Sequence, residues 1–183
     1  MSRVAVFIDG AYLDYVLRDE FPEARIDYGK LSERLTAGIE LLRTYYYHCL
    51  PYQSPSPTPE EALRFSRRQK FYHALSRLPR YQVRLGKLQC LGNDQNGCPI
   101  FQQKRVDILL GVDLVVLSTK AQITHAVLVA GDTDFLPAVA CAKDHGVLVH
   151  LWHGTVHRPH RELWDVADDR TPLSPGVIGS IRR

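Results

Sequence analysis

The sequence predicts an α/β fold in which a mostly parallel central sheet carries helices on both faces. Short runs of β-branched and aromatic residues alternate along the chain with segments that have apolar residues at helical spacing. This alternation is typical of parallel strands joined by crossover helices. The 183 residues, of which 45% are hydrophobic and 23% are charged, also have the composition of a globular chain rather than a disordered one.

The first half of the chain alternates between strands and helices. Val4–Ile8 is a continuous apolar run, which predicts a strand buried on both faces. Ala11–Glu20 has apolar residues at helical spacing, and Pro22 ends the predicted helix. The elements that follow are a helix at Leu31–Ala37, a strand at Leu41–Leu50 and, after the proline-rich loop Pro51–Pro59, a helix capped by Thr58 that runs to about Arg77.

The second half continues this alternation. Tyr81–Leu91 has the apolar periodicity of a strand, and the glycines and asparagines of residues 92–97 predict a turn. Gln102–Ser118 is mostly apolar and predicts a long central helix, while Ala126–Ala130 predicts a second buried strand. The last predicted elements are a helix at Asp132–His145, a strand at Val147–Leu151 and a short helix at His160–Val166.

The chain shows no internal boundary, so we expect a single domain over residues 1–170 and a weakly structured C-terminal tail over residues 171–183. Its apolar runs are far shorter than the ~20 residues of a membrane span, which argues against a membrane protein. The N-terminal run predicts a strand rather than a signal peptide. Four widely spaced cysteines form no disulfide framework, so we expect a cytoplasmic location. The oligomeric state stays open, although apolar residues on the last predicted strand and helix would suit a homodimer.

Acidic residues follow two predicted buried strands. Asp9 comes directly after the first strand, and Asp132 and Asp134 come just after the later one. Because ligands in open α/β sheets bind at the carboxyl ends of the strands, we expect these acids to lie at one sheet edge. The predicted central helix adds Asp107 and Asp113, which a six-residue step separates by about 120° around the helix axis. Only one of these two can face the same cluster, and we expect it to be Asp107.

Grouped carboxylates indicate a bound cation. Two bare carboxylates ~4 Å apart repel by ~4 kcal/mol at an effective dielectric constant near 20, so either one is protonated or a cation lies between them. A donor set made only of oxygen suits Mg²⁺ or Mn²⁺, and these ions support phosphoryl chemistry. The alternative for Asp132 or Asp134 is a purely structural role as the N-cap of the helix that follows.

Basic residues are the candidate nucleic-acid contacts in this mildly basic chain, whose net charge is +3. Four of them lie among aromatic side chains in the predicted third helix, a mix that suits backbone neutralisation and base stacking on single-stranded RNA. Two more directly precede the acid of the central helix and would suit a phosphate. A solvated helix face is the alternative for both groups. The six residues are Arg64, Arg67, Arg68, Lys70, Lys104 and Arg105.

Four histidines lie near the end of the last predicted strand. Their spacing fits no zinc-binding motif, so we expect them on the surface, where one could touch RNA. They are His150, His153, His157 and His160.

Three blocks of the sequence together resemble the signature of the NYN domain, a family of PIN-like nucleases. The blocks are VFIDGAYL at residues 6–13, KRVDI at residues 104–108, followed by Asp113, and VLVAGDTDF at residues 127–135. The order and spacing of the blocks match the family, and the resemblance covers nearly the whole chain. It implies a PIN-like, Rossmann-like fold and a metal-dependent endoribonuclease that hydrolyses RNA, with single-stranded or loop regions as the preferred partner.

The resemblance also implies roles for individual residues. The positions that match metal-binding and catalytic acids, with Mg²⁺ or Mn²⁺ as cofactor, are Asp9, Asp107, Asp132 and Asp134. The positions that match supporting residues are Asp113, Thr133 and Tyr12. Many members have Asn in place of Tyr12 and Gly in place of Arg105, so this chain lacks one polar group near the implied metal. The alternative function is a module that binds RNA or a nucleotide without cutting it.

Overall fold

A computed structural model describes residues 2–22 and 24–183 and confirms the predicted α/β class. The strands are β1 (Arg3–Asp9), β2 (Glu40–Cys49), β3 (Tyr81–Asn93), β4 (Pro99–Lys104), β5 (His125–Val129), β6 (Leu148–His153) and β7 (Asp169–Pro172). The helices are α1 (Gly10–Glu20), α2 (Tyr28–Thr36), α3 (Pro59–Ser76), α4 (Val106–Thr119), α5 (Leu136–Asp144), α6 (Arg161–Val166) and α7 (Pro175–Ser180).

One sheet of seven strands, in the order β4-β3-β2-β1-β5-β6-β7, forms the centre of the molecule. Within residues 2–22 and 24–183, six strands are parallel and only β4, which pairs with β3, is antiparallel. The central strand β1 is buried from Val4 to Ile8, as its continuous apolar run predicts. Its side chains alternate between two hydrophobic cores, one with α1, α2, α3 and α7 and the other with α4, α5 and α6. Helices therefore cover both faces.

Local sequence signals fix several helix starts. The Thr58 hydroxyl accepts a hydrogen bond from the Glu61 backbone N–H, and the Glu61 side chain accepts one from the Thr58 N–H, which together form a capping box. Pro59 occupies the first turn, where it has no N–H to leave unsatisfied. The predicted cap of α3 is thus confirmed.

The predicted central helix at Gln102–Ser118 is wrong in its first turn. Residues 99–104 form β4, an antiparallel partner of β3, and α4 begins only at Val106. The Asp94 side chain accepts hydrogen bonds from the N–H groups of Asn96 and Cys98 and so shapes the turn that brings the two strands together. Every residue of β4 is exposed. The strand therefore has no buried face whose apolar residues would distinguish it, in the sequence, from the apolar helix α4 that follows.

The expected weakly structured tail is also wrong. Residues 169–172 add the edge strand β7 to the sheet, and α7 follows at Pro175–Ser180 with Ser174 as its N-cap. The apolar side chains of this segment pack into the core beside α1 and α2. They are Leu173, Val177, Ile178 and Ile181. No helix of the described residues is both long and apolar enough to span a bilayer.

Candidate functional site

Asp9 lies at the carboxyl end of the central strand and starts the first helix. Its Oδ1 accepts hydrogen bonds from the backbone N–H groups of Ala11 at 3.0 Å and Tyr12 at 3.2 Å. These two bonds fix the carboxylate against the positive end of α1. Gly10 lets the helix start this close to the sheet, because a Cβ there would lie 2.5 Å from the ring of Tyr46.

Asp132 and Asp134 lie in the loop after β5, the neighbour of β1. Asp132 caps the single 3₁₀ turn at Thr133–Phe135, with its Oδ1 3.3 Å from the Asp134 N–H and 3.5 Å from the Thr133 hydroxyl. The structural alternative for Asp132, a cap, is therefore observed. The hydrogen bonds of this cap are long. The side chains of Asp132 and Asp134 are both exposed, so they remain accessible at the carboxyl edge of the sheet. Thr133 contacts Asp132 as a supporting residue would.

The two acids of α4 face different surroundings. Asp107, in the first turn, lies beside the acids of the sheet edge, and their charges act on it. Asp113 instead accepts a hydrogen bond from the Tyr47 hydroxyl at 2.9 Å and pairs with Arg84 at 3.2 Å. This separation agrees with the 120° step between them, and it holds Asp113 on the sheet beneath α4.

Negative charge accumulates on the acids at the carboxyl edge of the sheet. Burial, together with the charge of Asp107, raises the pKa of Asp9 to about 6 against the opposing hydrogen bond from the Tyr12 N–H. Burial also raises the pKa of Asp107, as do the charges of Asp134 and Asp132. Among residues 2–22 and 24–183, no Lys, Arg or His forms an ion pair with any of these four acids.

A cavity of about 580 Å³ opens over this edge. Asp9, Asp107 and Asp132 line it, while Asp134 lines an adjoining hollow of about 670 Å³ that also reaches Asp107 and Arg105. In the part of the chain that the structure describes, no three His, Cys, Asp or Glu side chains already form a metal-binding group. The acids are neighbours that act on one another electrostatically, and their metal-binding role stays a prediction.

The opposite wall of the cavity comes from the loop between β6 and α6, for which the sequence indicated only that one histidine could touch RNA. His157, Arg158 and His160 of this loop line the cavity. The Tyr12 hydroxyl donates a hydrogen bond to the His157 carbonyl at 2.6 Å and accepts one from the Gly154 N–H at 3.0 Å. Tyr12 therefore holds the loop in place instead of offering its hydroxyl to an ion. The sequence signal was that this loop also follows a parallel strand.

The predicted basic residues divide into two groups. Arg68 pairs with Asp14, which also accepts a hydrogen bond from His48 at 3.2 Å, in a hollow that shares Gln103 with the acid cavity. Arg105 starts α4 with a left-handed φ of 76° and lines the hollow beside Asp107. The others lie farther along exposed surfaces of α3 and at the end of β4. These are Arg64, Arg67, Lys70 and Lys104.

Comparisons with known proteins agree with this architecture. The chain has 16% sequence identity and a TM-score of 0.67 to the crystal structure of a protein of unknown function from Vibrio parahaemolyticus, with 100% of this chain and 96% of that chain covered. This likeness shows the fold alone. A second structure, Acinetobacter baumannii MurG, gives a TM-score of only 0.42 at 12% identity over 96% of this chain and 42% of its own.

Sequence comparisons identify the family. An uncharacterised protein, y4oD, of Sinorhizobium fredii is 44% identical over 50 residues, which span 27% of this chain and 23% of that protein. The model of the NYN domain matches residues 3–174, nearly the whole chain. This chain therefore belongs to the NYN domain family, within the PIN-like nuclease superfamily.

Proposed function

We propose that this protein is a metal-dependent endoribonuclease that hydrolyses phosphodiester bonds of RNA. The observation that carries the proposal is the group of acids at the carboxyl edge of the parallel sheet. Asp9 and Asp107 have raised pKa values there, the charges of neighbouring carboxylates contribute to both shifts, and no ion pair of the described residues involves either acid. Ligands of open α/β sheets bind at this edge.

The chemistry of these acids fits a hard divalent cation. Asp9, Asp107, Asp132 and Asp134 would hold Mg²⁺ or Mn²⁺, since all four offer carboxylate oxygens. When bound, such an ion neutralises charge on the reacting phosphate and lowers the pKa of water. The exposed side chains of Asp132 and Asp134 are free to adjust toward a shared ion, whereas the hydrogen bonds of Asp9 fix one ligand in advance.

The surrounding residues of the chain would bind and orient the RNA. Arg158 on one wall of the cavity and Arg105 beside Asp107 place positive charge on both sides of the acids, where backbone phosphates would pass. Gln103 offers an amide to the same strand. The openness of the cleft to solvent suits single-stranded or loop RNA, whose backbone can bend into the acids.

A cleavage assay tests this proposal. RNA and DNA oligonucleotides of the same sequence are incubated with the protein in Mg²⁺, in Mn²⁺ and in EDTA. We expect RNA products only with a divalent ion. Asp9→Asn and Asp132→Asn should lose cleavage while they stay folded, and Asp144→Asn, which changes an exposed acid at the far end of α5, should cut normally. Wild-type rates in both site variants would contradict the proposal.

One observation favours a second candidate, a module that binds RNA or a nucleotide without hydrolysis. Within the described residues the acids are not yet arranged as a metal-binding group. Such a module would bind the RNA oligonucleotide equally well in EDTA and would give no products with either ion. The same assay therefore separates the two candidates.

A further inference from the structure

Another hollow, of about 440 Å³, adjoins the acid cavity on the side of β6 and α6. Arg158 lines both spaces, so a strand that passes over the acids could continue directly into this hollow. Its volume lies in the range of small-ligand pockets, ~300–1,000 Å³. The other residues that the argument uses are His153, Arg161 and Trp164.

The hollow combines an aromatic wall with positive charge. Trp164 is 38% exposed, an unusual degree for such a large apolar ring. Arg158 and Arg161 lie at the same hollow, and Arg161 has only a loose ion pair with Asp165 at 3.5 Å on the surface. A flat ring beside guanidinium groups is the combination that binds a base by stacking and its phosphate by charge.

A buried polar atom at the hollow has no partner. His153 is only 6% exposed, and its ring lies 4.8 Å from that of Trp164. Its Nδ1 is 2.7 Å from the Gly154 carbonyl, which can only accept, so Nδ1 carries the hydrogen. In the neutral ring, Nε2 is then an acceptor without a hydrogen-bond partner among the described residues, and its burial keeps it out of reach of a ligand in the hollow. The expectation that His153 lies on the surface is therefore wrong.

We propose that this hollow binds one nucleobase of the RNA strand. The base stacks on Trp164, while Arg158 contacts the phosphate that leads back to the acids. The inference rests on the proposed function, since it places the base next to the reacting phosphate. The bound base also fixes the position of the RNA strand, because it is held on Trp164 while the neighbouring phosphodiester lies over Asp9.

The test measures binding without cleavage, in EDTA, by NMR titration of the full chain. The probes are the four nucleoside 5′-monophosphates and ribose 5-phosphate, which has the same charge and no base. Stacking of one base favours the nucleotides, and we expect them to bind at least about tenfold more tightly than ribose 5-phosphate. Equal affinities for nucleotides and ribose 5-phosphate would overturn the proposal.

Variants locate the effect. Trp164→Ala should remove the preference for nucleotides over ribose 5-phosphate. Leu148→Ala truncates another exposed side chain at the opposite end of β6 and should leave the preference intact. A full preference in folded Trp164→Ala protein would also overturn the proposal. Because no cleavage is needed, a failure here is distinct from a failure of the nuclease assay.

Discussion

The half-buried carboxylates of this protein occur in two contrasting environments. Asp14 and Asp113 each face a cation and a second donor: His48 and Arg68 for Asp14, and Tyr47 and Arg84 for Asp113. Asp9 and Asp107 face other carboxylates. Asp14 and Asp113, which hold elements of the fold together, therefore have cationic partners within the protein. Among the described residues, the acids of the carboxyl edge have no such ion pair. That contrast is what favours a cation from solution at the edge.

The pKa values follow the same division. Burial alone would raise the pKa of Asp14, but the hydrogen bond from His48 and the charge of Arg68 outweigh it and lower the pKa below its usual value. Burial raises the pKa of Asp9 to about 6, because no comparable cation opposes it. Asp9, which caps α1, and Asp14, which lies within α1, therefore have pKa values shifted in opposite directions, and this difference can be tested.

The largest expected effect is on cleavage. Asp9→Asn and Asp107→Asn should lower kcat by about 10²–10³-fold, the usual cost of removing one group that stabilises charge in a transition state. Asp14→Asn should keep kcat within a few fold in the fraction that is folded. Single-turnover cleavage of an RNA oligonucleotide in Mn²⁺ measures this. A loss of kcat in Asp14→Asn as large as that in Asp9→Asn would contradict the proposed difference in role between these two acids.

The pH dependence of stability gives the next effect. The pKa of Asp9 rises from 3.8 in the unfolded chain to about 6 in the folded protein, so the folded state binds the proton more tightly. Its contribution is complete below pH 3.8 and is lost as the pH rises through 6, and it amounts to about 3 kcal/mol. Urea unfolding in EDTA between pH 4 and 7 measures it. Asp9→Asn should flatten this slope.

Asp14→Asn is the control for the pH dependence of stability, because the stabilisation that Asp14 contributes changes with pH in the opposite direction. Its lowered pKa contributes stability that is present above pH 3.8 and is lost as the pH falls through the folded value. Asp14→Asn should therefore leave the decline between pH 4 and 6 in place. An unchanged slope in Asp9→Asn would show that other groups produce it.

Added metal should produce an effect of similar size. A divalent ion that binds only the folded protein stabilises it by about 2.7 kcal/mol at one hundred times its Kd, which corresponds to about 5–10 °C in Tm for a chain of this length. We expect this shift with Mn²⁺ in the wild type and in Asp144→Asn. Asp9→Asn should shift far less, as measured by differential scanning fluorimetry, and an equal shift would place the ion elsewhere.

The smallest effect is expected for substitutions of Asp113, the acid of α4 that pairs with Arg84. Asp113→Ala leaves the Tyr47 hydroxyl and Arg84 without their acceptor, and should cost about 1–3 kcal/mol of unfolding free energy. Asp113→Asn, which keeps one acceptor oxygen, should recover part of this loss. Cleavage by the folded fraction should stay near the wild-type rate in both variants, as urea unfolding and the RNA assay would show.

Local patterns in the sequence predict the centre of the fold well. The buried runs of β1 and β5 are consecutive apolar residues, which only a strand covered on both faces accommodates, and the acids directly after them lie at one edge because the strands are parallel. The capping residues Thr58 and Glu61 likewise act within four residues of each other. Such signals are contained in a short stretch of chain.

Features that depend on distant contacts could not be predicted in this way. β4 is fully exposed and is a strand only because β3 pairs with it. The loop after β6 lines the acid cavity because Tyr12 and Glu20, more than 130 residues earlier, bind its backbone. The sequence of the loop has no periodicity that indicates these partners, so Arg158 did not stand out as a site residue.

Tyr12 sets the distance between the two walls of the cleft. Its ring fills the space over Gly131, where a Cβ would come within 2.5 Å, and its hydroxyl bridges Gly154 and His157. Burial raises its pKa to about 12, so the phenol keeps its proton and the bridge survives any physiological change of pH. One side chain of α1 thus acts as a spacer between Gly131, which follows β5, and the loop after β6. A shorter residue at this position would let that loop move toward the acids and narrow the path of the RNA.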